Sequence, residues 1–145
     1  MAITSTGTDL ASRLRAAVLR TNRRLRQESG AELSPTLLAT LGTISRHGPL
    51  TPSELAQRER IQRPTATRLL ARLEAPGYVT RTPDPQDGRS SLVSITDEGR
   101  ELLIGLRARK DAFLARRLQR LDPEERDVLD RAAGILERLL EEDEA

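Results

Sequence analysis

Three times in this chain a small polar residue stands directly before a proline and a helical apolar pattern follows: Ser34-Pro35, Thr51-Pro52 and Asp122-Pro123. An oxygen on the first side chain can accept from an orphan amide of the first helical turn. The proline lacks the amide that would have no partner there. Each pair therefore marks a helix start. Thr51-Pro52-Ser53-Glu54 adds a capping box, with Thr51 accepting from the amide of Glu54 and Glu54 bonding back, and Asp122-Pro123-Glu124-Glu125 repeats the logic. Gly30, Gly48-Pro49 and Pro76-Gly77 supply equally explicit stops. A chain punctuated in this way folds as a series of helices.

Between these marks the apolar residues recur at helical spacing. Met1 to Gly7 are small and polar and read as a frayed tail. A first helix is expected from Thr8 or Asp9, carrying Leu10, Leu14, Val18 and Leu25, and ending near Gly30. The second places Leu37, Leu38, Leu41 and Ile44 on one stripe and stops before Gly48-Pro49. A short third helix buries Leu55 and Ala56, and a break is expected from Arg58 to Gln62. Arg63 to Glu74 then forms a helix whose apolar residues are Ala66, Leu69, Leu70 and Leu73.

Only Tyr78 to Thr82 and Leu92 to Ile95 are patterned as strands. The loop between them contains Asp-Pro and Asp-Gly, so the segment reads as a β-hairpin. Thr96-Asp97-Glu98-Gly99 opens a long helix with Leu102, Leu103, Leu106, Phe113, Leu114, Leu118 and Leu121. The last helix carries Val128, Leu129, Ala132, Ile135, Leu136, Leu139 and Leu140. The expected fold is mainly α with a small β-hairpin wing: a winged helix-turn-helix over 34–98, flanked by helical dimerisation segments at 1–33 and 99–145.

Composition removes most chemistry. With no cysteine and a single histidine, His47, the chain offers no disulfide framework, thiol switch or zinc-ligand cluster. His47 stands at a helix end before Gly48-Pro49, which suits a helix-end cation better than a catalytic base. No enzyme, cofactor or metal is expected. The N-terminus lacks a signal pattern and no apolar run approaches the roughly 20 residues needed to span a bilayer, so the expected location is the cytoplasm.

The net charge is only +2, but from Leu121 to Ala145 ten acidic residues and three Arg give −7, leaving +9 on the first 120 residues. Arg60 to Leu73 contains four Arg and no acid. A lone run of this kind, Arg63, Arg68 and Arg72, would more often be a solvated helix face, and Thr65 and Thr67 read equally well as surface filler. The hairpin with Arg81 and Arg89 shifts the balance toward duplex DNA. A helix fits the major groove, and a two-stranded ribbon can lay an arginine along the backbone or in the minor groove.

Five blocks in order carry a resemblance. They are Leu50-Thr51-Pro52-Ser53-Glu54-Leu55-Ala56; Arg63-Pro64-Thr65-Ala66-Thr67-Arg68-Leu69-Leu70; Leu73-Glu74-Ala75-Pro76-Gly77-Tyr78-Val79; Asp84-Pro85-Gln86-Asp87-Gly88-Arg89; and Ile95-Thr96-Asp97-Glu98-Gly99. Together they resemble the MarR (multiple antibiotic resistance regulator) family. The resemblance implies a homodimer on a pseudo-palindromic operator of double-stranded DNA, usually a repressor released by a small amphipathic ligand. It implies that Arg63, Pro64, Thr65, Thr67, Arg68 and Arg72 sit on a recognition helix, and that Arg89 is the wing arginine reaching the minor groove. Asp87 would orient that arginine, and Arg81 would support the wing.

Two departures stand out. Relatives commonly place an aliphatic residue and a glycine before the recognition helix; this chain has Glu59 and Arg60, then Gln62 in place of a good cap. The cysteine of peroxide sensors and the histidine clusters of metal sensors are absent. Dimerisation has its own physical basis, because the terminal helices offer more aliphatic surface than a winged core covers. Two-fold symmetry then predicts recognition helices about 34 to 36 Å apart. The competing function is a winged-helix protein-interaction module without operator specificity.

Overall fold

The computed structural model describes residues 5–141. The elements run α1 (Ser5–Ser29), α2 (Pro35–His47), α3 (Pro52–Glu59), α4 (Arg63–Glu74), β1 (Val79–Pro83), β2 (Ser91–Ile95), α5 (Asp97–Leu118) and α6 (Pro123–Glu141). This is a winged helix: mainly helical, with a single antiparallel hairpin among the described residues.

The cap-plus-proline pairs start helices where expected. Ser34 Oγ accepts from the Leu37 amide at 3.3 Å, and Asp122 Oδ1 accepts from the Glu125 amide at 2.8 Å. The Thr51 box is reciprocal: Glu54 N–H donates to Thr51 Oγ1 at 3.1 Å and Thr51 N–H to Glu54 Oε2 at 3.3 Å. The first helix departs from expectation, since it already runs at Ser5 and contains Thr8 and Asp9 in its interior. Extending an existing helix adds a hydrogen bond per residue without a new nucleus, so a weak polar segment can be drawn in. Met1 to Thr4 of the expected tail lie outside the described residues.

Two compact units divide the chain, one of residues 29–108 and one of 1–28 with 109–145. The first has a closed core. Leu37, Leu41 and Ile44 of α2, Leu55 of α3, and Ala66, Leu70 and Leu73 of α4 are buried with Val79, Val93 and Ile95 of the hairpin. Leu38 of the expected stripe is only half-buried. The strands pair from Val79↔Ile95 to Pro83↔Ser91, one residue beyond the expected limits on the turn side. Leu50 adds a single bridge to Val93, with bonds of 3.0 and 2.7 Å in the two directions.

Glycine is required where α5 leaves the hairpin, because a β-carbon on Gly99 would lie 2.4 Å from the carbonyl oxygen of Tyr78. Tyr78 is also held by its amide, which donates to Leu73 O at 3.0 Å, and by its carbonyl, which accepts from the Thr96 amide at 3.0 Å.

The turn between α3 and α4 is tighter than expected. α3 continues through Arg58 to Glu59, whose carboxylate accepts a hydrogen bond from Thr43 Oγ1 of α2 and so ties down the last turn. The break is then confined to residues 60–62, and it opens on Arg60, which is left-handed at φ 54° and ψ 45°. Its amide donates to Gln57 O at 3.3 Å, and the Ile61 amide donates to Ala56 O at 3.0 Å. This is a Schellman stop, with Ile61 turned onto the core.

The second unit has no such core. Among its described residues none is buried, and Leu10, Ile135, Leu139 and Leu140 are 62%, 54%, 60% and 69% exposed. Phe113 holds the guanidinium groups of Arg24 and Arg117 at 5.6 and 5.1 Å from its ring centre. No described helix is long and apolar enough to cross a membrane.

Candidate nucleic-acid interface

The candidate interface is built on α4. Its inward side is fixed by Ala66, Leu70 and Leu73, all buried and spaced at three and four residues. A helix turns by 3.6 residues, so Pro64, Thr67, Arg68, Ala71 and Arg72 fall on the opposite side. All five are exposed. Arg63 and Thr65 flank that face. Gln62 makes no side-chain cap bond, and Pro64 occupies the first turn, where a missing amide is tolerated.

Two of the polar residues are already engaged. Thr67 Oγ1 donates to the Arg63 carbonyl at 3.0 Å, which leaves its lone pairs to accept. Arg68 Nη2 donates to Thr65 Oγ1 at 3.3 Å. Thr65 is half-buried rather than exposed as expected, since its position turns toward the side held by Leu69. It can therefore orient Arg68 more readily than reach a base itself. Arg63 and Arg72 make no side-chain hydrogen bond or ion pair among the described residues.

The wing is ordered by its own backbone. Asp84 Oδ1 accepts from the Gln86 amide at 2.9 Å, Asp87 Oδ1 from the Arg89 amide at 3.0 Å, and Ser90 N–H donates to Asp87 O at 3.0 Å. These bonds close the loop with short Asp-based turns. Asp87 thus holds the main chain of Arg89, not the guanidinium, which is exposed and without a partner among the described residues. Arg81 points elsewhere: its Nε donates to Glu74 Oε2 at 2.5 Å, linking β1 to the last turn of α4.

The match to known proteins covers the same elements. A family model described as the MarR family matches residues 33–91. An HTH-type transcriptional regulator of Mycobacterium tuberculosis is 41% identical over 92% of this chain and 94% of its own. The chain belongs to the MarR family. A solved transcriptional regulator of Pseudomonas aeruginosa superposes with a TM-score of 0.85 at 39% identity, covering 94% of this chain and 96% of that one. A Bacillus subtilis relative, 33% identical over 64% of this chain and 60% of its own, is named an HTH-type transcriptional repressor. This MarR-family chain is a DNA-binding regulator of transcription, and its family is one of regulators, not enzymes.

On the MarR scaffold the structure brings Pro64, Thr67, Arg68 and Arg72 onto one outward surface, with Arg63 flanking it and Arg89 on the wing. Ala71 and Glu74 escaped the sequence reading. Ala71 sits between Arg68 and Arg72 on the outward face, and its helical spacing was visible; a small apolar residue simply carried no chemical signal. The Glu74–Arg81 pair spans seven residues across two kinds of element, which no local periodicity encodes.

Proposed function

We propose that the chain is a repressor that binds a pseudo-palindromic operator as a homodimer in the cytoplasm, with 34–98 as the reading segment and 1–33 and 99–145 as the pairing segments. The observation that carries this is the outward face of α4. Arg68 and Arg72 lie on it with no acidic neighbour from Arg60 to Leu73, while the core side is closed. Arginine presents a planar fork that fits guanine edges and phosphate. In this reading α4 enters the major groove, with Arg68 and Arg72 toward bases, Arg63 toward phosphate, Thr65 positioning Arg68, and Thr67 and Pro64 shaping the contact. Arg89 takes the minor groove from a loop pinned by Asp87, and Arg81 braces the wing. The relative named as a repressor supports the direction of control.

Pairing is supported by the open aliphatic surfaces of α1 and α6. Release by a small amphipathic anion is supported by a groove of 390 Å³ within the helical unit, lined in part by Arg20, Arg24, Arg117, Phe113 and Leu114.

Selection of bound sequences from a random duplex library tests the reading. Enrichment of an inverted repeat is expected. Failure to enrich any sequence, with binding to an acidic protein surface instead, would favour an interaction module. On the selected operator, Arg72→Ala should lose discrimination over scrambled duplex, and Arg89→Ala should flatten the salt dependence by about 0.9 in slope for each phosphate contact removed.

A further inference from the structure

Among the described residues the backbone takes positive φ at Gly30 (66°), Gly77 (87°) and Arg60 (54°). The last two are the same device. α4 ends with the Tyr78 amide on Leu73 O at 3.0 Å and the Gly77 amide on Glu74 O at 2.9 Å, repeating bond for bond the stop of α3. In the left-handed conformation a β-carbon crowds the neighbouring carbonyl, and glycine alone avoids this. The chain thus meets one geometric demand with glycine after α4 and with arginine after α3.

Nothing inside the fold accounts for that arginine. Arg60 is exposed, and its side chain makes no hydrogen bond or ion pair among the described residues. Its acidic neighbour Glu59 is taken by Thr43. Residues held in a costly conformation are retained where the surroundings or a function require them. Arg60 stands three positions before Arg63, the first residue of α4, at the head of the acid-free stretch. A guanidinium there is always charged and fork-shaped, suited to a phosphate oxygen pair.

We propose that Arg60 is a further DNA contact, made from the α3–α4 turn to the phosphate backbone. It is kept there at the expense of the stability glycine would bring. The proposal rests on the reading of α4 as the DNA-facing helix. It assigns Arg60 an affinity role without sequence preference.

The test is Arg60→Gly beside Arg60→Lys, each titrated on a random-sequence duplex and on a selected operator over a range of salt, and unfolded in urea. Arg60→Gly should raise the urea midpoint yet weaken DNA binding. The salt slope should flatten by about 0.9 per protomer, which at about 0.1 M salt corresponds to roughly eightfold weaker binding per protomer. Arg60→Lys keeps the charge and should retain the slope. An unchanged slope in Arg60→Gly overturns the proposal. So does a loss confined to a selected operator, because that would be base reading, and so does weaker binding that tracks a lowered urea midpoint at constant slope. If the unmodified protein itself shows no salt-dependent duplex binding, the DNA-facing reading of α4 falls with it. That result is distinct from binding that is intact and indifferent to Arg60.

Discussion

Residues 29–108 and the pair of segments 1–28 and 109–145 are built from the same aliphatic vocabulary, yet they use it differently. In the first unit Leu41, Leu70 and Leu73 are wholly buried, each at 0% exposure. In the second, leucines and isoleucines at equal helical spacing remain largely open. α6 is the most regular amphipathic helix in the sequence and buries none of its residues. Periodicity therefore states that a face will be covered, not by what. The first unit closes its core with its own residues, whereas the helical unit leaves aliphatic faces open, for which a second copy is the proposed cover.

The contrast can be broken most forcefully from the reading side. Leu70→Ala should cost about 2–5 kcal/mol of stability in urea, independent of protein concentration, because it opens a cavity in a closed core. A loss below about 1 kcal/mol would mean that the core is not closed. Next in size is Ile135→Glu on α6, which should weaken dimerisation by about 2 kcal/mol or more. Sedimentation velocity should then find monomers whose hairpin and α4 are intact, and a dimer unmoved by this change would place the pairing surface elsewhere. Thr51→Ala removes one side of a capping box and should cost about 1 kcal/mol, again at any concentration. Smallest of all is Glu74→Gln. The pair with Arg81 is partly exposed and screened by solvent, so the urea midpoint should shift by no more than about 1 kcal/mol. A larger fall in operator affinity than in stability would show that the pair sets the pitch of the wing.

How far the sequence could be read follows from the range of each interaction. Caps, stops and stripes act within four residues, and Ser34, Thr51, Asp122 and Gly77 did what their local chemistry requires. Contacts that close over distance were not legible. The Leu50–Val93 bridge, the Thr43–Glu59 bond and the Glu74–Arg81 pair each depend on the folded chain. The Arg60 turn was flagged by its missing glycine, but its form depended on Ile61 turning onto the core. On the wing, the bond between Asp87 and Arg89 joins carboxylate to amide, where an orienting contact to the guanidinium was expected. A side chain two residues from an amide forms that turn more readily than it reaches a long, mobile guanidinium.

Tyr78, clamped between the end of α4 and the first turn of α5, is the sole tyrosine of a chain that has no tryptophan. Tyr78 therefore dominates the intrinsic emission over the weakly emitting Phe113, and it lies in the unit of residues 29–108. Its emission will follow the melting of that unit, while far-ultraviolet dichroism sums the helices of both. Divergence of the two signals during unfolding would resolve the halves of the molecule without any label.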